Sequence, residues 1–200
     1  MKKKKFPLIQ GINKVKEEIE KISNKEKVVI VGVAGGSGSG KGYVVKSISK
    51  RVKGKVVMMD DYYVGIGNMK DDNFDKPSAI DLNLLKKHLN FLKKKRSIEK
   101  PVYNFDIHKR IGSEKFSPQK VIIVEGLFIL SEIFKKEVNL KLFIEAPEEV
   151  RLKRRIARDI RERARTKKDV ICQWRETVEP MYKKYVFPQR KLADYIIENY

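Results

Sequence analysis

The stretch Val28-Val29-Ile30-Val31-Gly32-Val33-Ala34-Gly35-Gly36-Ser37-Gly38-Ser39-Gly40-Lys41 decides the fold. Its first half, from Lys27 to Ala34, is a continuous apolar run rich in Val, as expected of a strand buried on both faces of a parallel sheet. Glycines follow at once and open a helix predicted over Tyr43 to Val52. In that setting glycines let backbone N–H groups turn toward phosphate oxygens, the helix N-terminus adds positive potential, and a lysine reaches the outer phosphates. Gly35, Gly36, Ser37, Gly38, Ser39, Gly40, Lys41, Gly42 and Tyr43 are therefore the expected nucleotide-binding group. The pattern asks for Ser or Thr after the lysine, where a hydroxyl ligates Mg²⁺. This chain has Gly42, which offers no ligand and weakens the first helical turn by roughly 1 kcal/mol relative to Ala.

Outward from this loop, apolar runs alternate with helical spacings. Ile12, Val15, Ile19 and Ile22 recur three and four apart, which predicts an amphipathic helix ending near Ser23-Asn24. Lys55 to Met59 reads as a second strand closed by Asp60-Asp61, and Leu82, Leu85, Leu89 and Leu92 mark a helix over Asp81 to Lys95. Val121 to Val124 and Lys141 to Ile144 read as further strands. Arg151 to Arg165 and Val170 to Lys184 read as helices, and Tyr195-Ile196-Ile197 as a last short strand. The expectation is an α/β fold: a doubly wound parallel sheet flanked by helices, of the P-loop nucleotide-hydrolase type. Residues 1–26 form a basic, amphipathic helical extension and residues 27–200 the main domain. A hairpin projects at about residues 100–118, and a helical lid spans about 151–180.

The chain has 200 residues, enough for one compact domain. Its longest apolar stretches fall well short of the roughly 18 to 20 residues that span a bilayer. Met1-Lys2-Lys3-Lys4-Lys5 is basic, but no apolar signal segment follows it, so a cytoplasmic protein without a membrane partner is expected. The single cysteine, Cys172, cannot form an internal disulfide. A net charge of +20 invites a nucleic-acid reading, yet no nucleic-acid module is visible and much of the excess sits in Lys2 to Lys5 and Arg151 to Lys168.

Phosphoryl transfer needs an acceptor base, a carboxylate near the metal, and cations for the developing charge. Asp60 and Glu125 each end a strand, which in an open α/β sheet puts both at the carboxyl edge beside the phosphate loop. On the helix after Glu149, Arg151, Arg155, Arg158 and Arg165 fall within one stripe of about 80°, with Leu152, Ile156 and Ile160 on the adjacent face. The expectation is that the apolar face packs on the body while the arginines face phosphates.

The phosphate loop, Asp60-Asp61-Tyr62-Tyr63, Asn73-Phe74-Asp75-Lys76-Pro77-Ser78-Ala79, Pro101-Val102-Tyr103-Asn104-Phe105, His108, Val124-Glu125-Gly126, Arg155 through Arg165 and Ala193-Asp194 together resemble the uridine–cytidine kinase family, in its order and spacing. The resemblance implies phosphoryl transfer from ATP or GTP, with Mg²⁺, to the 5′-hydroxyl of uridine or cytidine. It implies Asp60 as general base and metal-side acid, Glu125 as second metal-side carboxylate, and Lys41 and Arg158 as catalytic cations. Asp75 would hold the ribose hydroxyls, with Tyr63 and Phe74 lining that pocket. Tyr103 and His108 would read the pyrimidine edge beside Phe105. Arg155, Arg158 and Gln173 would close over ribose and phosphates, with Arg163 and Arg165 on the donor. The family is also often a homo-oligomer. Three departures stand out: Gly42, Lys76 in place of a histidine, and Ala164 in place of a glycine. Two rivals remain at this point: a same-fold kinase of another small acceptor, and a nucleotide-binding protein that Gly42 has deprived of turnover.

Overall fold

A computed structural model describes residues 4–69 and 73–200, so Lys2 and Lys3 of the basic N-terminus lie outside the described residues. Six parallel strands form the central sheet in the order β1-β8-β7-β2-β6-β3: β1 (Lys4–Pro7), β2 (Val29–Gly35), β3 (Lys55–Met58), β6 (Val121–Glu125), β7 (Leu140–Glu145) and β8 (Tyr195–Glu198). β2 runs between β6 and β7, and every one of its residues is buried. The pleat turns Val29, Val31 and Val33 to one face and Ile30 to the other.

On the first face pack α1 (Leu8–Ser23) and α2 (Lys41–Val52), through Ile12, Val15, Ile19, Val44, Val45 and Ile48. Full burial of an aliphatic side chain contributes about 1.5–3 kcal/mol, so Ile12, Val15 and Ile19 hold α1 as a layer of the molecule. On the second face lie α3 (Leu82–Lys93), through Leu85, Leu89 and Leu92, and a long C-terminal helical run. The sheet is thus doubly wound, as expected.

Two elements differ from the sequence reading. Lys4–Pro7, for which no strand is predicted, pairs with β8 in parallel register, Lys4 opposite Tyr195 through Pro7 opposite Glu198. A four-residue, Lys-rich edge strand carries no buried apolar alternation, so its pattern is silent. The predicted helix over Val170 to Lys184 is a regular helix, α5, only over Lys167–Gln173. It widens into π turns at Trp174–Val178 and Tyr182–Val186, separated by the short α6 (Glu179–Met181). Pro180 has no N–H to donate to an i−4 carbonyl, which disfavours a regular α-helix through this stretch.

The projecting hairpin is present, as β4 (Ile98–Asn104) against β5 (Lys109–Phe116), with a bulge between Val102 and Tyr103. The helix that opens the segment expected to form a lid is α4 (Glu148–Arg163). No helix among the described residues is long and apolar enough to cross a membrane.

Candidate functional site

The loop between β2 and α2 turns tightly and is held by hydrogen bonds from several sides. Gly38 and Gly40 have φ of 76° and 86°, in the left-handed region where a Cβ is strained. A Cβ on Gly38 would also meet the Arg151 carbonyl oxygen at 2.1 Å. Lys41 folds back over the loop, its Nζ donating to the Gly36 carbonyl at 3.1 Å. From outside, Asn199 Nδ2 donates to the Ser39 carbonyl at 2.9 Å and Arg155 Nη1 to Ser37 Oγ at 2.9 Å. Tyr43, one turn into α2, is exposed.

The two acids converge on this lysine. β3 is followed by a 3₁₀ turn, Met59–Tyr62, that carries Asp60, and Glu125 ends β6 with Met58 and Val33 as its strand neighbours. Burial raises the carboxyl pKa of both Asp60 and Glu125, and the Lys41 charge partly offsets this in each. Burial likewise lowers the Lys41 ammonium, with Glu125 and Asp60 opposing that fall. Among the described residues no cluster of three or more acidic, His or Cys side chains could cage a metal. Two carboxylates beside a phosphate loop are a donor set that suits Mg²⁺, which keeps waters and takes substrate phosphates as further ligands.

Beyond the acids, five rings form one connected wall. Tyr63 lies 5.2 Å from Phe74 and 5.5 Å from Tyr103, Phe74 lies 5.0 Å from His108, and Tyr103 lies 5.1 Å from Phe105, centroid to centroid. Asp75 sits at the edge of this wall, and its carboxyl pKa is raised by burial against the opposing charge of Arg155. Its backbone N–H is held by Asn73 Oδ1 at 3.0 Å, and Thr177 Oγ1 donates to its carboxylate at 3.3 Å. Gly36, Ser37 and Asp75 share one small cavity with Leu127, Val178, Tyr182 and Val186. The predicted phosphate and ribose groups are therefore adjacent.

Helix α4 overturns part of the sequence reading. Arg151, Arg155 and Asp159 are the buried face of α4, at 2%, 6% and 0% exposure, while Ile160 is 47% exposed. Leu152 and Ile156 line an open surface depression with Glu148, Glu149, Lys153 and Lys167. Charge complementarity explains the inversion. Arg151 stacks 3.9 Å from the Tyr182 ring and pairs with Glu179 at 2.8 Å, so it anchors the helix and does not face phosphates freely. Arg155 reaches Ser37 and, at 2.9 Å, Gln173 Oε1, which also accepts from Arg165. Arg158 donates to Asp159 at 2.8 Å, and Arg163 lies 3.7 Å from the same carboxylate.

Around this region, three buried side-chain polar atoms, Ser39 Oγ, Tyr103 Oη and Arg151 Nη1, lack a hydrogen-bond partner among the described residues, while Arg155 Nε and Asp159 Oδ2 face each other at 3.3 Å as an ion pair. Native interiors rarely leave such groups unpaired, so the three are available to a polar ligand. Sequence reasoning missed Asn73, Thr177, Asp159 and Asn199. Asn73 and Asp159 lie inside stretches the sequence reading singled out but received no role there, whereas Thr177 and Asn199 are brought to the site only by the folded chain.

The model of the Phosphoribulokinase / Uridine kinase family matches residues 30–200. A uridine kinase of Ligilactobacillus salivarius is 38% identical over 187 residues, covering 88% of each chain. A uridine kinase of Borrelia duttonii is 40% identical over 177 residues, covering 85% of this chain and 86% of its own. Among solved structures, a possible uridine kinase from Bacillus stearothermophilus superposes with a TM-score of 0.59 at 16% identity, over 92% of this chain and 99% of its own. The YGR205w protein superposes with a TM-score of 0.65 at 17% identity, over 96% and 95%. At such identities the structural likeness speaks to the fold alone.

Proposed function

The chain belongs to the phosphoribulokinase/uridine kinase family, and from that membership we propose that it phosphorylates the 5′-hydroxyl of uridine and cytidine, in pyrimidine salvage, with ATP or GTP as donor. The observation that carries the reading is the continuity of three parts. Lys41 and its loop lie beside Asp60 and Glu125, and the aromatic wall of Tyr63, Phe74, Tyr103, Phe105 and His108 runs on from them past Asp75. A nucleoside fits that order, with base, ribose and 5′-oxygen meeting rings, carboxylate and general base in turn.

In mechanism, Asp60 accepts the proton of the 5′-hydroxyl as the oxygen attacks the terminal phosphorus. Its raised pKa makes it a stronger base than an exposed aspartate. Asp75 takes the vicinal ribose hydroxyls as a two-acceptor carboxylate. Tyr103 Oη and the His108 ring read the base edge, and a neutral imidazole can donate or accept according to tautomer. Lys41 binds the outer phosphates, and Arg155 and Arg158 neutralise the charge that spreads over the transferring group. Asp60 and Glu125 would hold Mg²⁺, which supplies charge neutralisation at the donor phosphates when bound. The free, exposed thiol of Cys172 suits a reducing cytoplasm, where we place the protein.

An acceptor panel tests this reading. Uridine, cytidine, adenosine, ribose and a sugar phosphate are each offered with MgATP, and the pyrimidine nucleosides are expected to lead in kcat/KM. A preference for the sugar phosphate would overturn it.

A further inference from the structure

The hairpin and the turn that carries Asp60 are tied together by two cations that take no direct part in the chemistry above. Lys100, on β4 and only 8% exposed, places its Nζ 2.6 Å from Asp61 Oδ2, the residue after Asp60, and 3.1 Å from Glu114 Oε1. Arg110, on β5, donates from Nε to the Tyr63 carbonyl at 2.9 Å and from Nη2 to the Tyr62 carbonyl at 2.7 Å. Its Nη1 lies 3.5 Å from Asp81 Oδ2. A third tie is the Ile66 N–H, which donates to the His108 carbonyl at 3.2 Å.

Arg110 also stands directly opposite Tyr103 in the hairpin register, beside the bulge, and two residues beyond His108. One guanidinium thus grips two backbone carbonyls of the acid turn from the strand position that faces the base-reading tyrosine. Charge-assisted bonds of this kind are about twice as strong as neutral ones, and a planar fork fixes direction as well as distance.

We propose that Arg110, seconded by Lys100, is a positioning residue that sets the distance between the base-reading rings and Asp60, so that a correctly held pyrimidine brings its 5′-hydroxyl into line. The inference rests on the nucleoside-kinase reading. The hairpin is a two-stranded sheet of its own, whereas the acid turn follows β3 of the sheet that carries the phosphate loop, so the grip is what ties acceptor recognition to the acid. Loss of the grip therefore uncouples acceptor recognition from turnover and leaves donor binding intact, because misplacement of reacting atoms costs rate even where contacts survive.

The test compares the full chain with Arg110→Met, Arg110→Lys and Lys100→Met, by steady-state kinetics with uridine and adenosine and by backbone hydrogen exchange without ligand. Arg110→Met is expected to lower kcat/KM for uridine about tenfold, the size of one lost charge-assisted bond. It should also narrow the preference for uridine over adenosine, with the ATP KM unchanged. Arg110→Lys keeps the charge but not the fork, and should fall between. Exchange should rise together in residues 59–66 and in the hairpin, and stay unchanged in β2. Unchanged exchange at 59–66 in Arg110→Met would overturn the proposal. So would a uniform loss in acceptor and donor parameters that tracks a lower melting temperature. If the unaltered chain phosphorylates neither nucleoside, the kinase reading fails on its own. The exchange pattern still decides whether the grip exists.

Discussion

A Cβ placed on Gly42 would stand 3.9 Å from Oε2 of Glu125, with no other atom that close outside its own helix and chain neighbours. The position that supplies a metal-side hydroxyl in the phosphate-loop pattern is thus open, and aimed at the second carboxylate. Gly42→Ser is expected to fit without displacing a neighbour and, by adding an oxygen ligand, to lower the Mg²⁺ concentration for half-maximal rate by about tenfold. Independently of rate, replacing a helical glycine should raise stability by roughly 0.5 kcal/mol, or about 1–2 °C in melting temperature. An unchanged Mg²⁺ titration in a protein that melts higher would show that the metal does not lean on this position.

Tyr103 carries a hydroxyl that is buried and without a partner. Removing such a group costs the free protein little, whereas a ligand that uses it loses a hydrogen bond. Tyr103→Phe should therefore keep or raise the melting temperature while raising the uridine KM by about tenfold. A lower melting temperature with unchanged KM would assign the hydroxyl to the fold.

Ala164 ends α4 at φ 49°, ψ 32°, a left-handed conformation that strains any side chain with a Cβ. Ala164→Gly removes that strain at the expense of unfolded-state entropy, and a net gain of about 0.5 kcal/mol, or roughly 1–2 °C, is expected from a thermal melt.

Burial raises the Asp60 pKa, and the sign of its pH effects follows. The proton is held more tightly in the folded than in the unfolded chain. Stability from this group is therefore full below the unfolded pKa and declines as pH rises through the folded one. Asp60→Asn should raise the melting temperature at neutral pH while abolishing turnover. Turnover that survives in Asp60→Asn at neutral pH would remove Asp60 as the base.

Much of this architecture is legible in the sequence because it is local. The Val-rich run, the glycines and Lys41 are contiguous, Glu125 closes β6, and Asp60 sits in the turn two residues past the end of β3. Helix α4 shows where such reading stops. Hydrophobic periodicity assigns Leu152, Ile156 and Ile160 to the core, but Asp159, Glu179 and the Tyr182 ring supply partners for guanidinium groups, and Arg151 and Arg155 are buried in their place. Partners contributed by elements distant in sequence decided the face. The same holds for Arg110, whose two acceptors are backbone carbonyls and so leave no trace in side-chain patterns. Thr177, which donates to Asp75, lies in the π turn at Trp174–Val178, a departure from regular helix that periodicity does not foretell.

The most direct measurement of the central claim is Mg²⁺-dependent formation of UMP from uridine and ATP by the unaltered chain, with Asp60→Asn and a reaction lacking nucleoside as controls. The account expects UMP and stoichiometric ADP from the unaltered protein, and neither above background in both controls. ADP released at the same rate with and without uridine, and no UMP, would contradict it.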